Sequence, residues 1–101
     1  MDIESAQKLI WENKNRKGFN TTDVALEFGL LTAEVGEAFT AWRRSLPDLG
    51  EELADIFIYV AAVAEMNGLN LADEVTRKIE KNARRTYKRN EIGVPIRTSE
   101  G

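Results

Sequence analysis

LLTAEVGEAFTAWRRSLPDLGEELADIFIYVAAVA, residues 30–64, is the stretch that decides the fold of this chain. It predicts two helices joined by a short turn, because Pro47 and Gly50 lie between two segments of helical character. Each segment contains two carboxylates spaced i,i+3, a spacing that puts both on one face of a helix. These pairs are Glu34 with Glu37 and Glu52 with Asp55.

The surroundings of these acids are unusually free of other charges. Glu34 and Glu37 are the only charged residues between Phe28 and Trp42, and Asp55 is the only one between Leu53 and Ala64. Charged side chains are seldom fully buried unless they are paired or bind a metal. The two pairs are therefore the first candidates for functional residues.

The rest of the chain reads as further helix, which predicts an all-α, four-helix bundle. The first helix is predicted from Asp2 to Asn15, and the second from an N-cap at Thr21 or Thr22 to about Ser45. The third runs from near Asp48 to Met66 or Asn67, where Gly68 is expected to follow the helix end. The fourth runs from Leu71, after a cap at Asn70, to about Arg89. Residues 1–89 then form one domain and residues 90–101 an extended or disordered tail.

The apolar residues of the two central helices predict more than one covered face. In the second helix a narrow arc, expected to be the core face, contains Val24, Phe28, Leu31, Val35, Ala38 and Trp42. The middle of the third helix, IFIYVAAVA, is apolar all round. Leu71, Val75, Ile79 and Ala83 are expected to pack inward from the fourth helix. Helices that are apolar on several sides of so small a chain predict a homodimer or homotetramer.

Composition restricts the chemistry of any site. The 101 residues include no histidine and no cysteine, so a zinc site is not expected. Oxygen ligands suit Mg²⁺ or Mn²⁺ instead. An apolar run long enough to cross a membrane is missing, and the first ten residues, MDIESAQKLI, do not resemble a secretory signal. A cytoplasmic protein is the expectation.

The charges suggest a substrate that contains phosphate. If the second and third helices are antiparallel neighbours, four carboxylates face each other and require a hard divalent cation. Residues 77–101 hold 8 bases against 3 acids, whereas residues 1–76 hold 6 bases against 14 acids. Lys78, Asn82 and Arg85 form a stripe on the basic last helix and are candidates for phosphate contacts. With no glycine-rich phosphate loop, metal and side chains would do this work.

Three elements in this order resemble the MazG-like all-α nucleoside triphosphate pyrophosphohydrolases. They are Glu34-Val-Gly-Glu37, then Glu51-Glu52-Leu-Ala-Asp55-Ile-Phe-Ile-Tyr59, then Lys78-x-x-x-Asn82-x-x-Arg85. The resemblance covers about residues 20–89. The family pattern is commonly E-E-x-x-E followed by E-x-x-D, and Ala33 stands here at its first glutamate, as in small members similar to the dCTP pyrophosphatases.

The resemblance implies Mg²⁺-dependent hydrolysis of a nucleoside triphosphate to the monophosphate and pyrophosphate. Deoxynucleoside triphosphates are the expected substrates, and the sequence leaves the preferred base open. It implies that Glu34, Glu37, Glu52 and Asp55 are catalytic metal ligands and that Lys78, Asn82 and Arg85 bind phosphate. It also implies homo-oligomers with sites at subunit contacts. The candidates for contacting the base are Trp11, Phe19, Asn20, Trp42 and Tyr59.

Two other functions are compatible with the same residues. One is a related reaction on phosphoribosyl-ATP. The other is a non-catalytic helical module that binds nucleic acid or protein through the basic last helix. The acidic centre disfavours nucleic acid, because phosphates avoid clustered carboxylates.

Overall fold

A computed structural model describes residues 1–98 and contains four helices and one short hairpin. The elements are α1 (Ile3–Arg16), α2 (Val24–Arg43), α3 (Leu49–Met66), α4 (Leu71–Arg84), β1 (Tyr87–Arg89) and β2 (Pro95–Arg97). The prediction of an all-α chain with four helices is confirmed for the helices, whereas the short hairpin was not predicted. Within residues 1–98, no helix has the length and apolar character needed to cross a bilayer.

The helix starts follow aspartate caps. Asp2 Oδ1 accepts a hydrogen bond from the Ser5 N–H at 2.7 Å, and Asp23 Oδ1 accepts one from the Leu26 N–H at 3.0 Å. The prediction of an N-cap at Thr21 or Thr22 is therefore wrong. Asn20 Oδ1 accepts from the Asp23 N–H at 3.0 Å, so the loop turns once more before α2 begins.

Three helices end with a residue in the left-handed backbone region, and for α1 it is Gly18 with φ 71°. Gly68 has φ 67° after α3, as the sequence predicts for the position that follows a helix. Ser45 takes φ 54° after α2, and the Leu46 N–H then donates to the Ala41 carbonyl at 2.8 Å. The turn between α2 and α3 thus closes in the same way without a glycine.

Residues 1–71 form one compact unit, in which α2 and α1 each pack against α3. Its fully buried apolar residues are all alanines: Ala38, Ala41, Ala61, Ala62 and Ala64. Small side chains allow helix backbones to approach closely, and here they set the α2–α3 contact.

The predicted core face of α2 is wrong for the single chain. Phe28 and Val35 are each 50% exposed and Trp42 is 64% exposed. Close packing through small residues turns a different stripe inward, and this stripe also contains two acids. Its members, spaced by seven, four and three residues, are Glu27, Glu34, Ala38 and Ala41.

A buried glutamine fixes α1 to the end of α3. Gln7 Nε2 donates to Glu65 Oε2 at 2.7 Å and to the Leu69 carbonyl at 2.8 Å, while Gln7 Oε1 accepts from the Leu71 N–H at 2.9 Å. Each polar group of a buried amide is thereby paired, which buried polar groups require. The three bonds hold α1 in place across the unit.

A second compact unit begins at Ala72. The prediction that its helix continues to Arg89 is wrong, because α4 ends at Arg84 and β1 pairs antiparallel with β2. These strands have three residues each and are exposed throughout, so they lack the alternating pattern that would predict them. Ile79 is 64% exposed and does not pack inward as expected. Of the predicted tail, residues 99–101 lie outside the described residues.

Candidate active site

Three of the predicted acids converge between α2 and α3. Carboxylate oxygens of Glu34, Glu37 and Glu52 all lie within 4.8 Å of one another. Asp55 lies one helical turn after Glu52, and its negative charge contributes to the raised pKa of Glu34. The i,i+3 spacing on each helix and the close α2–α3 contact therefore bring the two pairs together.

The cluster is electrostatically uncompensated. Burial, followed by the hydrogen bond to Glu52 and the charge of Glu37, raises the pKa of Glu34 to about 7. For Glu52, the hydrogen bond to Glu34 lowers the pKa, but burial and the charges of Glu37 and Asp48 outweigh it, so the net pKa is raised. The two carboxyl groups are too close for both to ionise freely.

Two oxygen atoms of the cluster lack a partner. Glu34 Oε2 and Glu52 Oε2 are buried and have no hydrogen-bond partner among the described residues. Buried, unpaired carboxylate oxygens are unfavourable unless a proton or a cation satisfies them. An all-oxygen donor set of this kind fits a hard divalent cation.

A large cavity adjoins the cluster within the first unit. It has a volume of about 920 Å³, and Glu34 and Asp55 are among its lining residues. Most of the remaining lining is apolar and includes Leu9, Ile10, Leu30, Phe57 and Ile58. The dimensions and the mixture of an apolar wall with few polar groups are those of a small-molecule site.

Three of the five predicted base-contacting residues line this cavity: Phe19, Asn20 and Tyr59. Burial and then the charge of Glu34 raise the pKa of the Tyr59 hydroxyl, so Tyr59 remains a hydrogen-bond donor at neutral pH. Trp42 instead lies on the exposed face of α2, with its ring centroid 6.0 Å from that of Phe39. Neither Trp42 nor the half-buried Trp11 is among the described residues that line the cavity.

A second opening of about 520 Å³ lies on another side of the acids. Glu37, Asp48 and Glu52 line it together with Ala33, the position at which the family pattern has a glutamate. Glu34 thus faces the large apolar cavity, whereas Glu37 and Glu52 face the smaller one. The acid cluster consequently lies between two openings.

The structure also contains a buried ion pair that the sequence did not reveal. Lys14 Nζ lies 2.6 Å from Glu27 Oε2, and their side chains are only 9% and 0% exposed. Asn20 Nδ2 donates to Glu27 Oε1 at 3.2 Å, and Lys14 Nζ lies 5.9 Å from the centre of the Tyr59 ring. Both Lys14 and Glu27 line the large cavity. The available signal was the seven-residue interval from Glu27 to Glu34, which places both acids on one face of α2.

The predicted phosphate-binding residues belong to the second unit. Lys78 and Asn82 are exposed on α4, and Arg85 follows the last residue of that helix. Arg85 Nη1 donates to Asn82 Oδ1 at 3.2 Å, so two members of the predicted stripe are in contact. A phosphate-binding role for the three residues stays a prediction.

Comparison with protein families gives one match. A family model described as MazG nucleotide pyrophosphohydrolase domain matches residues 27–89. The match begins at Glu27 within α2, after α1 and Asn20, and continues through α3 and α4, so it includes both acid pairs and the α4 stripe. Comparison with curated proteins and with solved structures finds no match.

Proposed function

The chain belongs to the MazG nucleotide pyrophosphohydrolase family, and we propose that it hydrolyses nucleoside triphosphates to the monophosphate and pyrophosphate with Mg²⁺. Deoxynucleoside triphosphates are the proposed substrates, and housekeeping of the nucleotide pool in the cytoplasm is the proposed role. The observation that carries the proposal is the uncompensated acid cluster beside a cavity that is large enough for a nucleoside.

Glu34, Glu37, Glu52 and Asp55 are the proposed metal ligands. The unpartnered oxygens of Glu34 and Glu52 support this assignment, because a cation would satisfy both. Mg²⁺, or Mn²⁺ in its place, would supply positive charge for the phosphate oxygens and would lower the pKa of a bound water.

The protein's own side chains divide the remaining work. The apolar wall of the large cavity favours a flat, weakly solvated base over water, while Glu34 and Asp55 mark the end at which the phosphates belong. A base held in this cavity would fix the α–β anhydride bond near the acids, and such positioning alone can contribute several kcal/mol to catalysis. Tyr59 is placed to donate a hydrogen bond within the same cavity.

Lys78, Asn82 and Arg85 are the proposed phosphate ligands. Their spacing of four and three residues supports a shared face, and the contact between Arg85 and Asn82 supports a joint role. Lysine and arginine are the side chains that suit phosphate oxygens best.

A homodimer or homotetramer is the proposed assembly. The chain exposes large apolar residues on both central helices, including Phe28, Val35, Trp42 and Leu53. Soluble monomers seldom expose contiguous apolar surface of this kind, whereas subunit interfaces commonly cover it.

The first experiment measures pyrophosphate release from a panel of ribo-, deoxyribo- and modified nucleoside triphosphates. Each is tested with Mg²⁺, with Mn²⁺ and with EDTA, and phosphoribosyl-ATP is included. We expect metal-dependent release of pyrophosphate and monophosphate, which EDTA abolishes. Release from phosphoribosyl-ATP alone, or no release by folded protein, would reject the proposed function.

A matched pair of variants connects the activity to the cluster. Glu37→Gln removes one proposed ligand and should lower kcat/KM by on the order of 100-fold or more. Glu12→Gln removes an exposed carboxylate from α1 and should leave kcat/KM unchanged. Equal activity of the two variants would exclude Glu37 as a metal ligand.

A further inference from the structure

The large cavity has one basic side chain among its described lining residues. Of the described residues that line it, Lys14 is the only lysine or arginine. Its side chain is 9% exposed, and the one carboxylate paired with it, on Glu27, is fully buried. Stability does not explain this arrangement, because a buried ion pair contributes little more than apolar residues of the same volume. A functional role at the cavity wall is the better explanation.

The pair presents donors to the cavity and hides its acceptor. Glu27 Oε2 is occupied by Lys14 and Glu27 Oε1 by Asn20, and no part of Glu27 is exposed. An ammonium group has three N–H donors, and Glu27 is the one carboxylate within ion-pair distance of it among the described residues. Lys14 therefore has more donors than this partner can engage, at a residue that lines the cavity.

Asn20 supports this arrangement. Its Nδ2 donates to the Asp23 carbonyl at 2.8 Å as well as to Glu27, and its Oδ1 accepts from the Asp23 N–H. The Asn20 amide thus donates once within the loop and once to Glu27 on α2, which makes Asn20 a positioning residue that holds Glu27 and, through it, Lys14. A direct contact between Asn20 and the base stays a prediction.

We propose that Lys14 determines base specificity by donating a hydrogen bond to an exocyclic keto oxygen. The favoured bases are those with a keto group at pyrimidine position 4 or purine position 6, and the disfavoured ones have an amino group there. An amino group facing Lys14 would leave donors on both sides unpaired, and a site built for a hydrogen bond rejects such a mismatch strongly. This inference rests on the proposed function. It concerns α1, which precedes the family match at residues 27–89.

The test compares substrates that differ at this position. Values of kcat/KM are measured for dUTP against dCTP and for dITP against dATP. We expect each keto substrate to be favoured by on the order of 100-fold. Equal or higher values for dCTP and dATP would overturn the inference.

Two variants distinguish the loss of the Lys14 hydrogen-bond donor from a loss of folding. Lys14→Met with Glu27→Leu removes both charges together, so neither is left buried alone, and it should reduce the keto preference to less than about 5-fold. Lys14→Arg keeps a cationic donor and should retain the preference. Circular dichroism establishes that each variant is folded. An unchanged preference in the folded double variant, or its loss in folded Lys14→Arg, would overturn the role of Lys14.

Binding separates this inference from the proposed reaction. Calorimetry with the α,β-imido analogues of dUTP and dCTP, with Mg²⁺, reports base preference without hydrolysis. Preferential binding of the dUTP analogue by a protein that releases no pyrophosphate would reject the reaction and support the role of Lys14. Pyrophosphate release with equal binding of the two analogues would support the reaction and reject the role of Lys14.

Discussion

Glu27 and Glu34 lie two turns apart on the same face of α2, yet Glu27 is paired with a cation and Glu34 is surrounded by other acids. Glu27 is fully buried and is paired with Lys14 at 2.6 Å and with Asn20. Glu34 is half-buried, and its carboxylate neighbours are Glu37, Glu52 and Asp55. Within residues 1–71, no lysine or arginine forms an ion pair with Glu34.

The difference shows which charge the fold balances internally. Lys14, from α1, neutralises Glu27 when the chain folds, so the charges of this pair are balanced without a ligand. Among residues 1–71, the Glu34 cluster has no balancing positive charge. This explains why two of its carboxylate oxygens lack a partner and why the pKa of Glu34 is raised. One helix thus carries a closed site and an open site, and the following experiments examine that contrast.

The largest expected effect is on stability at the closed site. Glu27→Gln leaves the Lys14 ammonium buried without a counter-charge and should lower the free energy of unfolding by about 3–5 kcal/mol. Urea denaturation at pH 7 measures the change. Lys14→Met combined with Glu27→Leu serves as the control and should recover most of the loss. A change below about 1 kcal/mol in Glu27→Gln would show that the pair is not closed to water.

The corresponding change at the open site should have the opposite sign. Glu34→Gln removes one of several repelling carboxylates, so metal-free stability should stay the same or rise by up to about 1 kcal/mol. In the wild type, Mg²⁺ at about 100 times its Kd should raise the free energy of unfolding by about 2.7 kcal/mol. The variant should show little of this gain.

Thermal unfolding with Mg²⁺ and with EDTA measures both quantities. The exposed acid of Glu12→Gln provides the matched control and should retain the full response to Mg²⁺. Equal stabilisation of wild type and Glu34→Gln by Mg²⁺ would remove Glu34 from the proposed metal site.

The sequence predicted the open site better than the closed one for a physical reason. Glu34 and Glu37 stand alone in an uncharged helix, and local spacing is enough to put both on one face. Lys14 lies in the polar run ENKNRK, and its contact with Glu27 forms only when α1 packs onto the helix pair. A tertiary contact of this kind produces no recognisable sequence pattern in either segment alone.

The buried face of α2 was mispredicted for a related reason. The predicted face included Phe28, Val35 and Trp42, which are exposed. Of the two buried alanines of α2, Ala38 was predicted and Ala41 was not. Periodicity finds the larger apolar arc, but it does not say whether that arc faces the same chain or a second copy. Local capping residues predicted the end of α3 correctly, at Gly68. The prediction of the start of α2 failed, because a longer loop precedes its cap at Asp23.

The smallest expected effect is the pH dependence of metal-free stability, and it follows from the sign of the Glu34 shift. The pKa of Glu34 is about 7 in the folded protein against an ordinary value of 4.5. Between these values the folded chain keeps a proton that the unfolded chain has lost, so stability should fall as the pH rises from about 4.5 to 7 and then level off. Thermal unfolding in EDTA across this range should show the fall in the wild type, and Glu34→Gln should flatten it.

Because Mg²⁺ and the proton compete for the same oxygens, the gain in stability from Mg²⁺ should increase across the same interval. The opposite result would be metal-free stability that rises from pH 5 to 7 in the wild type but not in Glu34→Gln. It would mean that the charge of Glu34 is already balanced, and the contrast with Glu27 would disappear.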